Sequence, residues 1–304
     1  MFNFLKLIRA GNLIFIALTM FLIKYGLFEP FGVAITLNLF GFSMLVLAVV
    51  CVAASGYVIN DIFDIPADIE NKPDRALINT NISEKVAYRL FFILSIVGVG
   101  LGFYLSNMIG RPGFSAFFIF GSAILYIYNS QLQQTILVGN ILVSIIVGLI
   151  PVGVGLYDLL PAITPQNQQT QSTIFSILID YSMFAFLVNL LREIVKDQED
   201  INGDYNAGYK TLPIVLGKKR TNIILFITGL IPLGFLIYYT YQYLFENVSA
   251  VIYVLLLLVA PLLFFLVNIW SAEKKSEYKR LSFILKMVLF FGLTSIGLLQ
   301  FILL

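Results

Sequence analysis

Histidine is absent from this 304-residue chain, and the absence removes a wide range of chemistry. Haem held by histidine, histidine-containing zinc sites and a histidine general base are all excluded. The single cysteine, Cys51, leaves no partner for a disulfide. It sits in an apolar run, where a buried and inert thiol is expected. Charge is scarce as well: 12% of residues are Asp, Glu, Lys or Arg, against 59% hydrophobic. No basic tract suggests nucleic acid, and a net charge of +2 gives no electrostatic reason for it. Long polar inserts are missing too, so no separate soluble domain is expected. These absences point to an integral helical membrane protein, all-α, with one domain over residues 1–304.

What is present is a series of apolar segments, near 12–28, 38–58, 86–106, 113–130, 136–157, 174–193, 221–242, 249–270 and 282–303. Each is close to the roughly 20 residues that a bilayer requires, so a polytopic bundle of about nine transmembrane helices is expected. The first segment lacks a clear small-residue cleavage site and reads as a retained span. Basic residues set the orientation. Lys6 and Arg9 precede the first span; Lys72, Arg75, Lys85 and Arg89 lie around the link from the second to the third. Arg192, Lys196, Lys210, Lys218, Lys219 and Arg220 surround the link from the sixth to the seventh, and Lys274, Lys275, Lys279, Arg280 and Lys286 the last. Lys24 and Arg111 fall at links of the opposite side. The expected place is the cell's inner or plasma membrane, with a cytoplasmic N-terminus and an outside C-terminus. A Gln-rich patch at 166–171 reads as a solvated outer connection.

The acidic residues are not scattered. Asn60, Asp61, Asp64 and Asp68 follow the second apolar segment. On a helix Asp64 and Asp68 lie within about 60° and 20° of Asp61, so three carboxylates share one narrow face with Tyr57 and Asn60 nearby. Pro66 is expected to break or kink the helix between the second and third Asp. The same spacing returns in Asp197, Asp200 and Asp204. One such cluster would read as a solvated acidic loop. Two, matched in spacing and each behind an apolar helix on the basic side, read as a site.

Carboxylates at a helix C-terminus oppose the helix dipole and repel one another, so a positive partner is required. Pooled at one cavity, the two clusters and Asn60 would offer hard oxygen ligands, beside Lys72, Arg75, Lys196 and Lys210. Magnesium suits that inventory, because it takes one or two carboxylates and completes its shell with water and phosphate oxygens. Such bridging activates a diphosphate leaving group. Calcium fits the ligands but leaves the basic residues unexplained. A diphosphate at the mouth of an apolar bundle implies a long hydrocarbon tail. An allylic carbocation would need electron-rich walls, for which Tyr57, Tyr126 and Tyr128 are candidates. The plainer reading of these tyrosines is an interfacial aromatic belt.

Across essentially its whole length the chain resembles the UbiA superfamily of intramembrane prenyltransferases. Asn60, Asp61, Asp64 and Asp68 match the family's NDxxDxxxD motif, continued by Asn71, Lys72, Asp74 and Arg75. Asp197, Asp200 and Asp204 match its second Asp-rich motif. Arg9 and Asn12 resemble the Arg and Asn that open the family's first helix, and Gly139 with Asn140 also match. The stretch from Arg192 through Gly203, Gly208, Thr211 and Gly217 is most similar to the geranylgeranylglycerol-phosphate geranylgeranyltransferase branch. The resemblance implies Mg²⁺-dependent transfer of a prenyl group from a polyprenyl diphosphate to a prenylglycerol phosphate. Asp61, Asp64, Asp197 and Asp200 would act in catalysis and, with Asp68 and Asp204, hold the metal. Arg9, Asn12, Tyr57, Asn60, Lys72, Arg75, Tyr126, Tyr128, Asn140, Lys196 and Lys210 would bind substrate. One departure stands out: Gln133 and Gln134 lie where a diphosphate-binding Lys or Arg is expected. Prenylation of an aromatic quinone precursor or a porphyrin ring is the alternative within the family. Outside it, the rivals are a cation or anionic-lipid transporter and a scaffold that keeps the fold without turnover.

The orientation is testable by cysteine scanning. With Cys51 replaced, single cysteines in residues 60–85 and 194–220 should resist an impermeant thiol reagent added outside intact cells. Labelling of both links from outside would reverse the topology.

Overall fold

The computed structural model describes residues 2–71 and 77–303. Lys72 and Arg75, two of the expected diphosphate-binding residues, lie outside the described residues. Among those described, the regular structure is helical, with one isolated bridge between Ile78 and Ile82. A short helix α1 (Phe2–Leu7) comes first. Helices α2 (Ala10–Phe28) and α3 (Leu39–Phe63) are long and apolar, and the short α4 (Ile65–Asn71) follows them. Then come α5 (Glu84–Met108), α6 (Pro112–Leu132), α7 (Val138–Ala162) and α8 (Gln168–Asn206). The short α9 (Leu212–Leu216) precedes α10 (Lys218–Leu244), α11 (Val248–Ile269) and α12 (Lys275–Phe301). Nine of these, all but α1, α4 and α9, are long and apolar enough to cross a membrane.

Local chemistry sets several boundaries. Asn38 caps α3 by accepting from the Gly41 N–H at 2.9 Å, and Asn247 caps α11 by accepting from Ala250 at 3.0 Å. Large apolar side chains such as Phe40, Ile96, Leu256 and Val267 remain exposed along the helices, as a lipid-facing surface requires. In lipid the backbone must satisfy its own polar groups, and uninterrupted helices achieve this without help from water.

The chain divides into two compact units, residues 1–133 with 150–178 and residues 134–149 with 179–304. In the first, α3 and α5 approach closely where Gly98 lies against Val52 and the Ala48 carbonyl. A Cβ there would come within 3.0 Å of backbone atoms. Val58, Ile59, Ile62, Ala87 and Phe91 form a buried cluster directly beneath the acidic end of α3. In the second unit, Val188, Leu191 and Val195 of α8 pack with Leu225, Leu262 and Phe265 in one core.

The first unit also contains a buried ion pair. Lys24 and Asp158 each sit in a π-helical turn, Lys24–Phe28 and Gly155–Leu159. The Lys24 Nζ lies 2.8 Å from Asp158 Oδ2 and donates to the Leu37 carbonyl at 2.6 Å. Asp158 Oδ1 accepts from the backbone N–H groups of Thr36 and Leu37 at 3.1 and 2.7 Å. The side chains are 2% and 0% exposed. Counting charges along the chain places Lys24 at a link on the side opposite the basic clusters. In the structure it is buried, in the π turn that ends the first long helix at Phe28.

The pair should be a stability determinant. Asp158→Asn keeps an acceptor for the loop but strands the ammonium, and should cost about 3–5 kcal/mol. Adding Lys24→Met should restore most of that loss, read as thermal unfolding in detergent. No recovery in the double variant would mean that charge pairing is not what the site supplies.

Candidate active site

The first acidic motif is built where α3 ends. The α-helix carries Asn60 and Asp61 in its last turn, and Asp64 caps it, its N–H donating to the Asn60 carbonyl at 2.9 Å. Pro66 is the second residue of α4, where a missing N–H costs nothing because the first turn leaves its donors unpaired anyway. Asp68 lies in the first turn of that new helix, its N–H on the Asp64 carbonyl at 2.8 Å. The break expected from Pro66 is present, but it falls at Asp64, the second Asp, rather than between it and Asp68.

Arg9 reaches this end of α3 from the junction of α1 and α2. Its backbone is left-handed, with φ 50° and ψ 53°, an uncommon conformation for a residue with a side chain. One guanidinium nitrogen, Nη2, donates to Asn60 Oδ1 and to Asp61 Oδ1, both at 2.7 Å. The guanidinium carbon stands 5.1 Å from the centre of the Tyr57 ring. Burial alone would pull the Arg9 pKa down, but the charge and hydrogen bond of Asp61, with Tyr57 and Asp64, raise it above the ordinary guanidinium value. The cation is thus held charged over the whole accessible pH range.

The Asn60 and Asp64 side chains meet the end of α6. There a π-helical turn, Tyr128–Leu132, closes with the Gln133 N–H on the Tyr128 carbonyl at 2.8 Å. Asn60 Nδ2 lies 2.9 Å from Asp64 Oδ2, 3.0 Å from Asn129 Oδ1 and 3.0 Å from Gln133 Oε1. Gln133 Nε2 in turn donates to Asp64 Oδ1 at 2.6 Å. Asn129, only 2% exposed, is fixed by its own bond to the Leu125 carbonyl. Both oxygens of Asp64 therefore accept from carboxamides.

The second motif belongs to one helix of 39 residues, α8. Asp197, Asp200 and Asp204 all precede its end at Asn206, so the i, i+3, i+7 face expected of them is realised. Asn140, in the first turn of α7, donates from Nδ2 to Asp197 Oδ2 at 2.9 Å. Behind it, Ser144 donates to the Asn140 carbonyl at 2.6 Å and accepts from Asn189 at 3.2 Å. Lys196 pairs with Glu193 at 2.8 Å, while Asp204 and Glu193 add negative potential at Asp197 and Lys196 opposes it. After the helix, Gly208 turns the chain with φ +78°, a conformation that favours glycine. The Lys210 N–H then donates to the Gln134 carbonyl at 2.9 Å, and its side chain is exposed.

Of the residues singled out by sequence, the structure joins Arg9, Tyr57, Asn60, Asp61 and Asp64 in one network and Asn140 and Asp197 in another. Asn12 sits one turn beyond Arg9, its N–H on the Arg9 carbonyl at 2.8 Å. Tyr126 is 44% exposed, its ring near those of Phe63 and Phe91. Tyr128 contributes its carbonyl to the π turn. Asn129 and the Ser144–Asn189 link were not foreseen. A polar residue in an apolar segment was the available signal, but its partner lies far away in sequence. Among the described residues no three His, Cys, Asp or Glu form a ready-made metal cage. The donors are all hard oxygens in small numbers, which fits magnesium, an ion that completes its shell with water and phosphate.

These features define an integral membrane protein with carboxylate motifs built at helix ends. The UbiA prenyltransferase family matches residues 12–291, and the chain belongs to that family. Over 176 residues it is 36% identical to the digeranylgeranylglyceryl phosphate synthase of Methanopyrus kandleri, covering 57% of this chain and 56% of that one. The synthase of the same name from Methanococcoides burtonii is 30% identical over 297 residues, 96% of this chain and 98% of that one. A structure described as that of a digeranylgeranylglyceryl phosphate synthase in membranes shares the fold, with TM-score 0.66 and 23% identity over 99% of this chain and 96% of that one. A UbiA homologue from Archaeoglobus fulgidus, solved with GPP and Mg²⁺, has TM-score 0.58 and 16% identity over 97% and 99%.

Arg9→Met should remove the guanidinium contact to Asp61 and Asn60. Because the pair is partly exposed, the expected cost is about 1–2 kcal/mol, seen as a lower unfolding temperature. Unchanged stability would mean that solvent already screens the contact.

Proposed function

We propose that this chain catalyses Mg²⁺-dependent transfer of a prenyl group from a polyprenyl diphosphate to a prenylglycerol phosphate, residues 1–304 acting as one domain. The observation that carries the reading is the pair of carboxylate networks, Asp61 and Asp64 held by Arg9, Asn60 and Gln133, and Asp197 held by Asn140. The name shared by the Methanococcoides burtonii relative, similar along almost the whole chain, supports the choice of acceptor.

Asp61, Asp64 and Asp68 in one motif, and Asp197, Asp200 and Asp204 in the other, would hold Mg²⁺ against diphosphate oxygens. Bound there, the metal supplies charge neutralisation for the departing diphosphate. Arg9 holds Asp61 in a fixed direction, and Asn140 does the same for Asp197, so neither carboxylate has to reorganise as charge develops. Lys72, Arg75, Lys196 and Lys210 would take the remaining diphosphate oxygens. The rings of Tyr57, Tyr126 and Tyr128 are the candidates to face the developing allylic cation, and that of Tyr57 already carries the Arg9 guanidinium. The C–O bond to diphosphate breaks, the acceptor hydroxyl oxygen bonds to that carbon, and the hydroxyl proton passes to the departing diphosphate. An apolar surround would keep water from competing for the cation. Both motifs would face the cytoplasm, following the basic residues.

Purified protein incubated with Mg²⁺, prenyl diphosphates of several lengths and a panel of acceptors should give a prenylated glycerol phosphate by mass spectrometry. A prenylated quinone precursor or porphyrin would reassign the acceptor, and flux without covalent product would indicate a transporter. Asp64→Asn and Asp197→Asn should each abolish turnover while the protein stays folded. Full activity in excess EDTA would overturn the metal requirement.

A further inference from the structure

Gln133 lies at the position where the family resemblance leads one to expect a cation for the diphosphate. Its contacts point elsewhere. We infer that Gln133 is a positioning residue that sets the Asp64 carboxylate for the metal, and that it makes no contact with diphosphate. The inference rests on the prenyl-diphosphate reading above and deepens it.

Both polar ends of the Gln133 carboxamide are already engaged. Nε2 donates to Asp64 Oδ1 at 2.6 Å, and Oε1 accepts from Asn60 Nδ2 at 3.0 Å. Asn60 also donates to the other Asp64 oxygen at 2.9 Å. Asn60, Asp64 and Gln133 thus close a ring of hydrogen bonds in which each side chain fixes the other two. The π turn makes this possible, because the i to i−5 bond from Gln133 to Tyr128 anchors the backbone directly ahead of the carboxamide. Gln134 cannot substitute: its side chain is exposed, and it is its backbone carbonyl that takes the Lys210 N–H.

A neutral donor suits this place for an electrostatic reason. A hydrogen bond from an amide orients a carboxylate and leaves its charge intact for a cation. A lysine in the same position would meet Asp64 as an ion pair and compete with the metal for it. Gln133 should therefore govern how readily metal binds, and the intrinsic hold on diphosphate should be indifferent to it.

The test is to titrate a non-hydrolysable geranylgeranyl diphosphate analogue into wild type, Gln133→Met, Gln133→Asn and Gln134→Met at a series of Mg²⁺ concentrations. Methionine keeps the length of glutamine without its donor. Asparagine keeps the carboxamide but withdraws it, and serves if the methionine variant does not fold. The half-saturating Mg²⁺ concentration should rise about tenfold in both Gln133 variants, the loss expected for one hydrogen bond to a charged group. Affinity at saturating Mg²⁺ should stay within about twofold of wild type, and Gln134→Met should match wild type throughout. An unshifted Mg²⁺ dependence in both Gln133 variants would overturn the inference. So would weaker binding at saturating Mg²⁺ with the dependence unshifted, which would place Gln133 on the diphosphate. Wild type failing to bind the analogue at any Mg²⁺ concentration would instead bring down the functional reading beneath it.

Discussion

A charge held among apolar helices has to be answered by a neighbour, and most of the polar architecture of this protein follows from that requirement. The answers are of two kinds. The buried Asp158 is met by the buried Lys24 and by two backbone N–H groups, those of Thr36 and Leu37. That charge is cancelled where it stands, and its role is to tie the segment around Leu37 to two helices. Asp64 and Asp197 instead receive carboxamides, from Asn60 and Gln133 in one case and Asn140 in the other. Those donors orient a carboxylate without cancelling it.

Asp61 stands between the two kinds. Its partner Arg9 is a full cation, but the guanidinium also binds Asn60 and faces Tyr57. Arg9 therefore links the start of the chain to the end of α3, and it does so from a left-handed backbone that an arginine rarely adopts. Strain of that sort persists only where surrounding contacts overdetermine it. Here the two 2.7 Å hydrogen bonds supply them.

Irregular helix geometry does as much for the site as residue identity. One helix ends at Asp64 and another, with Pro66 in its first turn, begins at Ile65, so the first motif is split over two helices while the second runs along one. Motifs with the same spacing thus have different backbones. The π turn at Tyr128–Leu132 brings Asn129 and Gln133 to the same Asn60 nitrogen. Two further π turns carry Lys24 and Asp158.

Hydrophobic run length alone determined the membrane class and the nine long helices, because a bilayer demands about 20 apolar residues whatever they pack against. Spacing of the acids determined the face of the second motif, and Pro66 the break in the first, since both depend on local backbone geometry. Arg9, Asn60 and Asn140 could be picked out from resemblance, though not the atoms they touch. Tertiary structure alone decided that Gln133 belongs to Asp64, that Asn129 belongs to Asn60, and that Lys24 and Asp158 are partners 134 residues apart. The physical reason is the same in each case. Periodicity records which face of a helix a side chain occupies. The partner of a buried polar group is set by how distant helices approach and by turns whose i to i−5 bonding carries no signature in residue order.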